Sequence, residues 1–217
     1  VLYFEVEELK RMTPDALDRK VRQMHEALGA LRCEDLSSVR VERDTNYVRV
    51  DFSQGTNPSG LANIASSLIA NIACLKDHLK LWCQQNGKTH DPENLINTNR
   101  DVAIVHDLWN IDKHGELNRP PRSGVHPKLQ NLARGLRIQT GATPGSVGMF
   151  TMNLQGGEMR IHNDGGSTAL VITGEIVDEN GRALGDFETV CERAASAWEQ
   201  ELIKAGVAIP PRQDSDQ

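Results

Sequence analysis

The run from Asn99 to Leu117, NRDVAIVHDLWNIDKHGEL, holds one Arg, two His, one Lys and three Asp, and no other stretch of the chain is as dense in side chains able to move protons or hold anions. An imidazole titrates near neutrality and can give or take a proton, while a guanidinium is a permanently charged clamp for phosphate. At about 100° per residue, Val102, Ile104, Val105, Leu108, Trp109 and Ile111 fall on one broad side of a helix, and Arg100, His106, Asp107, Asn110, Lys113 and His114 fall on the other. The spacing therefore predicts one helix with a core face and a chemical face. His106, Asn110 and His114 form an i, i+4, i+8 row with neighbours about 6 Å apart. Arg100, Asp107 and His114 form a second row at roughly 10 Å per step. Arg100 and His106 stand about 9 Å apart along the axis and on different sides of the wheel, so another helix or another chain must complete any site they share. Asp101 and Asp112 fall on the apolar side, where a buried salt bridge or a cap for a neighbouring segment is expected, above all for Asp112.

The elements that must hold this helix can be read in order. Thr13-Pro14 is a cap followed by proline at the first helical position, and Leu17, Val21, Met24, Leu28 and Leu31 carry a helix to about Cys33. Residues 38–52 alternate, with Asp44-Thr45-Asn46 as the turn, and predict a β-hairpin. Asn57-Pro58 starts another helix, whose heptad rhythm through Ala65, Leu68, Ile72, Leu75, Leu79 and Trp82 runs unbroken to Gln85 before Asn86-Gly87 stops it. A polar connection leads to Asn97 or Asn99 as cap of the central helix, and Pro120-Pro121 follows its end. Beyond Lys128 the period changes to two, with Leu136, Ile138, Val147, Met149, Met159, Ile161, Leu170, Ile172 and Ile176 predicting a small antiparallel sheet. Glu179-Asn180-Gly181 is a further hairpin signal. From Asp186 a helix returns, with Phe187, Val190, Cys191, Ala194, Trp198, Leu202 and Ala205 on one face, and Pro210 to Gln217 reads as a disordered tail.

Composition limits the function classes. The chain has 217 residues, 38% hydrophobic, 4% aromatic and 25% charged, with a formal charge of -6. That is enough to bury a core and too acidic for a protein that coats duplex DNA. Within it, Lys113 to Arg137 carries six Lys or Arg against the single acid Glu116, a net +5 that makes a candidate anion-binding edge. Cys33, Cys74, Cys83 and Cys191 lie far apart without a CxxC, so neither zinc nor a disulfide framework is signalled and a reducing cytoplasm is expected. No secretory leader and no bilayer-spanning apolar run is expected. The chain begins at Val1, as a piece trimmed from a longer protein would. His106 and His114 lack the i, i+4 geometry of a zinc pair, and no serine sits in a GxSxG setting. GATPGSVG, residues 141–148, lacks the Lys-Ser/Thr of a phosphate loop.

Arg100-Asp101, four intervening residues and His106 resemble the Arg-polar-x(4–6)-His motif of the HEPN superfamily. The resemblance covers roughly residues 13–118 and leaves the sheet outside. It implies a helical bundle that pairs with a second copy across an RNA cleft, and a metal-independent endoribonuclease of a toxin or phage-defence kind. By that resemblance Arg100 would clamp the scissile phosphate, His106 would act as acid/base and Asp101 would be the polar residue after the Arg. Asn110, Lys113 and His114 would line the cleft, with Arg119 and Arg122 steering RNA. A rival register, Leu108 to Leu117, is similar to the HEPN stretch in which Arg-Asn precedes His-Gly, but Trp109 stands where the Arg would be. In that register the clamp is missing and the chain is a binding-only member.

The expected fold is therefore α+β. A HEPN-like helical bundle over 1–127 carries the hairpin at 38–52, and 128–209 form a small antiparallel sheet and a C-terminal helix packing on the bundle, with 210–217 as tail. The expected function is a homodimeric endoribonuclease without metal or cofactor and away from membranes, with an antitoxin or regulatory protein as a further partner. The alternative is a non-catalytic dimerisation or partner-binding module. A third reading, a small-molecule or nucleotide binder, requires a concave apolar pocket on the sheet side.

Overall fold

The computed structural model describes residues 15–33, 39–43, 48–52, 57–117, 119–141, 143, 145–153 and 158–212. The chain is α+β. In order it forms α1 (Asp15–Gly29), β1 (Arg32–Cys33), β2 (Arg40–Arg43), β3 (Val48–Asp51), α2 (Pro58–Ala73), α3 (Leu75–Gln85), α4 (Glu93–Thr98) and α5 (Arg100–His114). Then follow β4 (Lys128–Gln139), β5 (Val147–Asn153), β6 (Glu158–Asp164), β7 (Ser167–Val177), β8 (Ala183–Asp186) and α6 (Phe187–Ala205).

Helix boundaries follow local chemistry. Asn57 accepts from the Gly60 N–H at 2.8 Å, with Pro58 in the first turn, and Asn99 accepts from the Val102 N–H at 3.1 Å. Asp186 caps α6 through the Thr189 N–H at 3.0 Å. Gly115 (φ 80°) and Gly206 (φ 87°) end α5 and α6 in the left-handed region, where a side chain would be strained. Two expectations give way. The long helix is two, α2 and α3, meeting at Cys74, so the heptad rhythm crosses a step that carries no Gly or Pro. The first helix stops at Gly29, and Arg32–Cys33 become a short strand because the edge of β7 is there to receive them, with Ile172 N–H donating to the Leu31 carbonyl at 2.8 Å. Thr13 and Pro14 lie outside the described residues, as does the 44–47 turn of the β2–β3 hairpin, whose strands pair as expected.

The second half is not one sheet. β7 is the spine, with β1 and β4 antiparallel on its two sides and β8 pairing its C-terminal end. β5 and β6 form a separate two-stranded ribbon, and residues 154–157 between them are outside the described set. The 178–181 turn joins β7 to β8, with Gly181 at φ 76°, as the hairpin signal predicted.

A single apolar cluster joins the two halves. Met24, Leu68, Ile72 and Leu79 of the bundle pack in the same core as Ile172 and Ile176 of β7 and Phe187, Val190, Trp198 and Leu202 of α6. The boundary expected at 127 thus divides elements that share their interior. Within Pro58–Gln85 an 18-residue window reaches mean hydropathy 1.3, long and apolar enough by composition to cross a bilayer, contrary to the expectation of no such run. Its apolar side chains Leu61, Leu68, Ile72, Leu75 and Leu79 are spent on this core. At the far end Pro210 is buried and Arg212 bonds Glu199 at 2.9 and 3.0 Å, so the expected tail is docked at least to residue 212.

Leu68 is wholly buried at the centre of that cluster. Leu68→Ala should cost about 3 kcal/mol, the usual range for such truncations. Far-ultraviolet circular dichroism and tryptophan fluorescence should change in one coincident urea transition in both proteins.

Candidate functional site

α5 lies against α2, α4 and α6, and its centre from Val102 to Leu108 is buried on every side. Arg100 is exposed in the first turn and Asp101 half-buried beside it. From Asn110 onward the helix emerges, with Asp112, Lys113 and His114 exposed. The expected division into two lengthwise faces is replaced by a division into a sealed middle and open ends.

Asp107 explains why. It sits on the side expected to meet solvent, yet it is 2% exposed because the chain returns over it after Pro121. Its carboxylate accepts from the Arg122 N–H at 3.2 Å and from the Ser123 N–H and Oγ at 2.8 and 2.7 Å. Ser123 Oγ also donates to the Val125 carbonyl at 3.0 Å. The capping role expected for Asp112 belongs to Asp107, while Asp112 is exposed and has no ion pair or hydrogen bond among the described residues.

His106 is sealed under the same cover, 2% exposed. The Asn110 amide nitrogen donates to the His106 carbonyl at 2.9 Å, which fixes the amide orientation, and the same nitrogen lies 2.9 Å from His106 Nδ1. Nδ1 must then accept, so in the neutral ring the proton sits on Nε2. That Nε2 is buried and has no hydrogen-bond partner among the described residues. Burial, with Lys76, Arg122 and Arg119 nearby and only partly offset by Asp107, lowers the imidazole pKa to about 4. At neutral pH His106 is an uncharged ring whose one basic nitrogen is occupied. This arrangement orients a ring and offers a substrate neither a proton acceptor nor an opening.

The other expected residues are dispersed. Arg122 is a strut, bonding Glu93 at 2.5 Å and Asn97 at 3.3 Å, and Lys76 reaches the same carboxylate at 3.2 Å. Burial alone would raise the Glu93 pKa, but the hydrogen bonds from Arg122 and Lys76 hold it below the ordinary carboxylate range. Arg137 of the basic segment is likewise engaged, pairing with Glu188, a 2% exposed carboxylate that also takes Arg32 Nε at 2.8 Å. Arg119, Lys113 and His114 stay exposed. Lys113 Nζ lies 5.1 Å from the Trp109 ring centroid, a cation–π distance. Arg100 stands at the opposite end of α5 from these groups.

Sequence reading missed a small basic face. Burial raises the Cys74 thiol pKa, while Lys20 of α1, Lys113 of α5 and Lys76 of α3 all pull it down, which places three lysines from three helices around one half-buried residue. Lys20 is held by Asn71 at 2.8 Å. His78, next on α3, is lowered by burial and then by Lys20 and Arg19. No local signal announces such a cluster, since each lysine is far from the others along the chain. Cys74, Cys83 and Cys191 carry free thiols, and among the described residues no three His, Cys, Asp or Glu converge as metal ligands would.

A folded-state pKa below the unfolded value means that the unfolded chain binds the extra proton. The contribution of His106 is therefore complete above about pH 6.5 and is lost as the pH falls toward about 4, by on the order of 2 kcal/mol. Urea unfolding at pH 7.5 and at pH 5 should show this loss, and His106→Gln should flatten the dependence across that window. Asp107→Ala should cost about 2–4 kcal/mol by leaving the Arg122 and Ser123 N–H groups unpaired. No protein-family model matches the chain, and no curated protein or solved structure matches it either.

Proposed function

We propose that the chain is a non-catalytic, HEPN-like interaction module that pairs with a second copy or a partner through the exposed C-terminal half of α5. The observation that carries this reading is His106, buried to 2% with Nδ1 taken by Asn110. A general base must reach the proton it removes and hold a pKa near the working pH. His106 meets neither condition. What remains exposed is a docking face: Lys113 over Trp109, His114 and Arg119. Its positive charge suits an anionic partner, and RNA is the one the family resemblance implies. The free thiols of Cys74, Cys83 and Cys191 support a reducing compartment such as the cytoplasm.

The endoribonuclease of toxin or phage-defence type is the second reading, supported by the Arg100 to His106 motif and by one exposed imidazole, His114. In it His114, the histidine of the rival register, is the ring a substrate can reach, and a partner chain has to supply the clamp that Trp109 replaces. The test is direct. The native protein should leave a labelled single-stranded RNA intact with or without divalent metal, while Lys113→Glu with Arg119→Glu should weaken RNA retention or self-association by about tenfold or more and leave the melting temperature unchanged. Cleavage abolished by His114→Ala, or by Arg100→Ala and by His106→Ala, in folded protein would overturn the module and establish the nuclease.

A further inference from the structure

Where the return loop runs into β4, a cavity of about 510 Å³ opens between α2, α5 and the ends of β4 and β7. That is within the roughly 300–1,000 Å³ range of small-molecule sites. Its floor is apolar: Ile69 of α2, Leu108 and Ile111 of α5, and Pro127 and Leu129 at the start of β4. Ile69 and Leu108 belong to the core proper, so the floor is rigid.

The rim has the opposite character. Asp112, Asp178 and Glu179 line it with Lys128, three carboxylates against one ammonium. Two of these carboxylates are already fixed. Asp178 takes the Asn180 and Arg182 N–H groups at 2.9 and 2.8 Å and pairs with the Arg182 guanidinium at 3.6 Å, and Glu179 takes the His126 N–H at 3.0 Å. They lend the rim its potential without being able to leave. Asp112 differs. It follows Leu108 by one helical turn, so its carboxylate rises from the same stripe that floors the cavity, and it has no ion pair or hydrogen bond among the described residues. A charged group on the apolar side of a helix, beside a concave apolar surface and without an internal partner, is matched by a cation that brings its own apolar body.

The geometry points to a binding site for a small organic amine, an ammonium group on an apolar frame, with the ammonium at Asp112 and the frame over Ile69, Leu108, Ile111 and Leu129. A bare divalent metal does not fit, since among the described residues no three ligating side chains converge. An anionic ligand would face the rim's excess of carboxylates. The site takes Ile111 and Asp112 from the same half of α5 but none of Lys113, His114 and Arg119, so variants at those three residues test the docking face and Asp112→Asn tests this site.

Phenethylamine, its neutral analogue phenethyl alcohol and its anionic analogue hydrocinnamate serve as probes, by titration calorimetry and by thermal shift. Phenethylamine should bind saturably and raise the melting temperature, with the alcohol about tenfold weaker and the carboxylate inert. Asp112 and Lys128 are both exposed, so Asp112→Asn and Lys128→Ala leave the core untouched. Asp112→Asn should cut amine affinity about tenfold and leave the alcohol unchanged, whereas Lys128→Ala should strengthen the amine. Ser66→Trp, which fills the cavity from α2, should abolish both. The proposal is overturned by equal binding of amine and alcohol, by amine binding that Asp112→Asn leaves intact, or by a blocked lysine-rich peptide binding where phenethylamine does not.

Discussion

A carboxylate cannot stay buried without donors, and Asp107 is buried in the middle of an otherwise apolar stretch of helix. Its solution is to recruit two backbone N–H groups and a hydroxyl from the segment around Arg122 and Ser123, which pins the chain back across α5 directly after the helix has ended. Most of the site's character follows from that closure. The returning segment seals His106, carries Arg122 to Glu93 and so joins α4 to α3 through Lys76, and delivers Pro127 and Lys128 to the start of β4. The bundle and the sheet meet where they do because a helical aspartate needed partners.

The same closure sets the chemistry. Removing water from His106 without supplying an acceptor for Nε2 favours the neutral ring, and the cations Lys76, Arg119 and Arg122 push in the same direction. A histidine that resembles a catalytic one by spacing becomes a structural one by environment. Chemistry that needs contact with another molecule is left to the ends of the helix, and chiefly to its C-terminal turn, where Lys113, His114 and Arg119 are open.

What the sequence disclosed and what it hid divide along range. Asn57, Asn99 and Asp186 announce helix starts because a cap is decided by a few neighbouring atoms. The buried face of α6 was legible from Phe187 to Ala205 for the same reason, since one stripe meets one core. The faces of α5 were misread because burial there depends on a segment fifteen residues further on, which no helical wheel contains. Arg32–Cys33 were taken into the first helix because their strand exists only against β7, some 140 residues away. The Glu188 pairing with Arg32 and Arg137, and the lysines around Cys74, are likewise assembled by topology alone.

The account rests on His106 being closed to solvent and uncharged at working pH, and nitrogen-detected NMR of the imidazole reads both at once. With Nδ1 accepting from Asn110, the ring should show the Nε2–H tautomer from pH 8 down to pH 5 without titrating, protonating only as the pH approaches about 4. An imidazole that instead titrates near pH 6.5 with rapid exchange of its nitrogen-bound proton would contradict the sealed helix and return His106 to the candidates for catalysis.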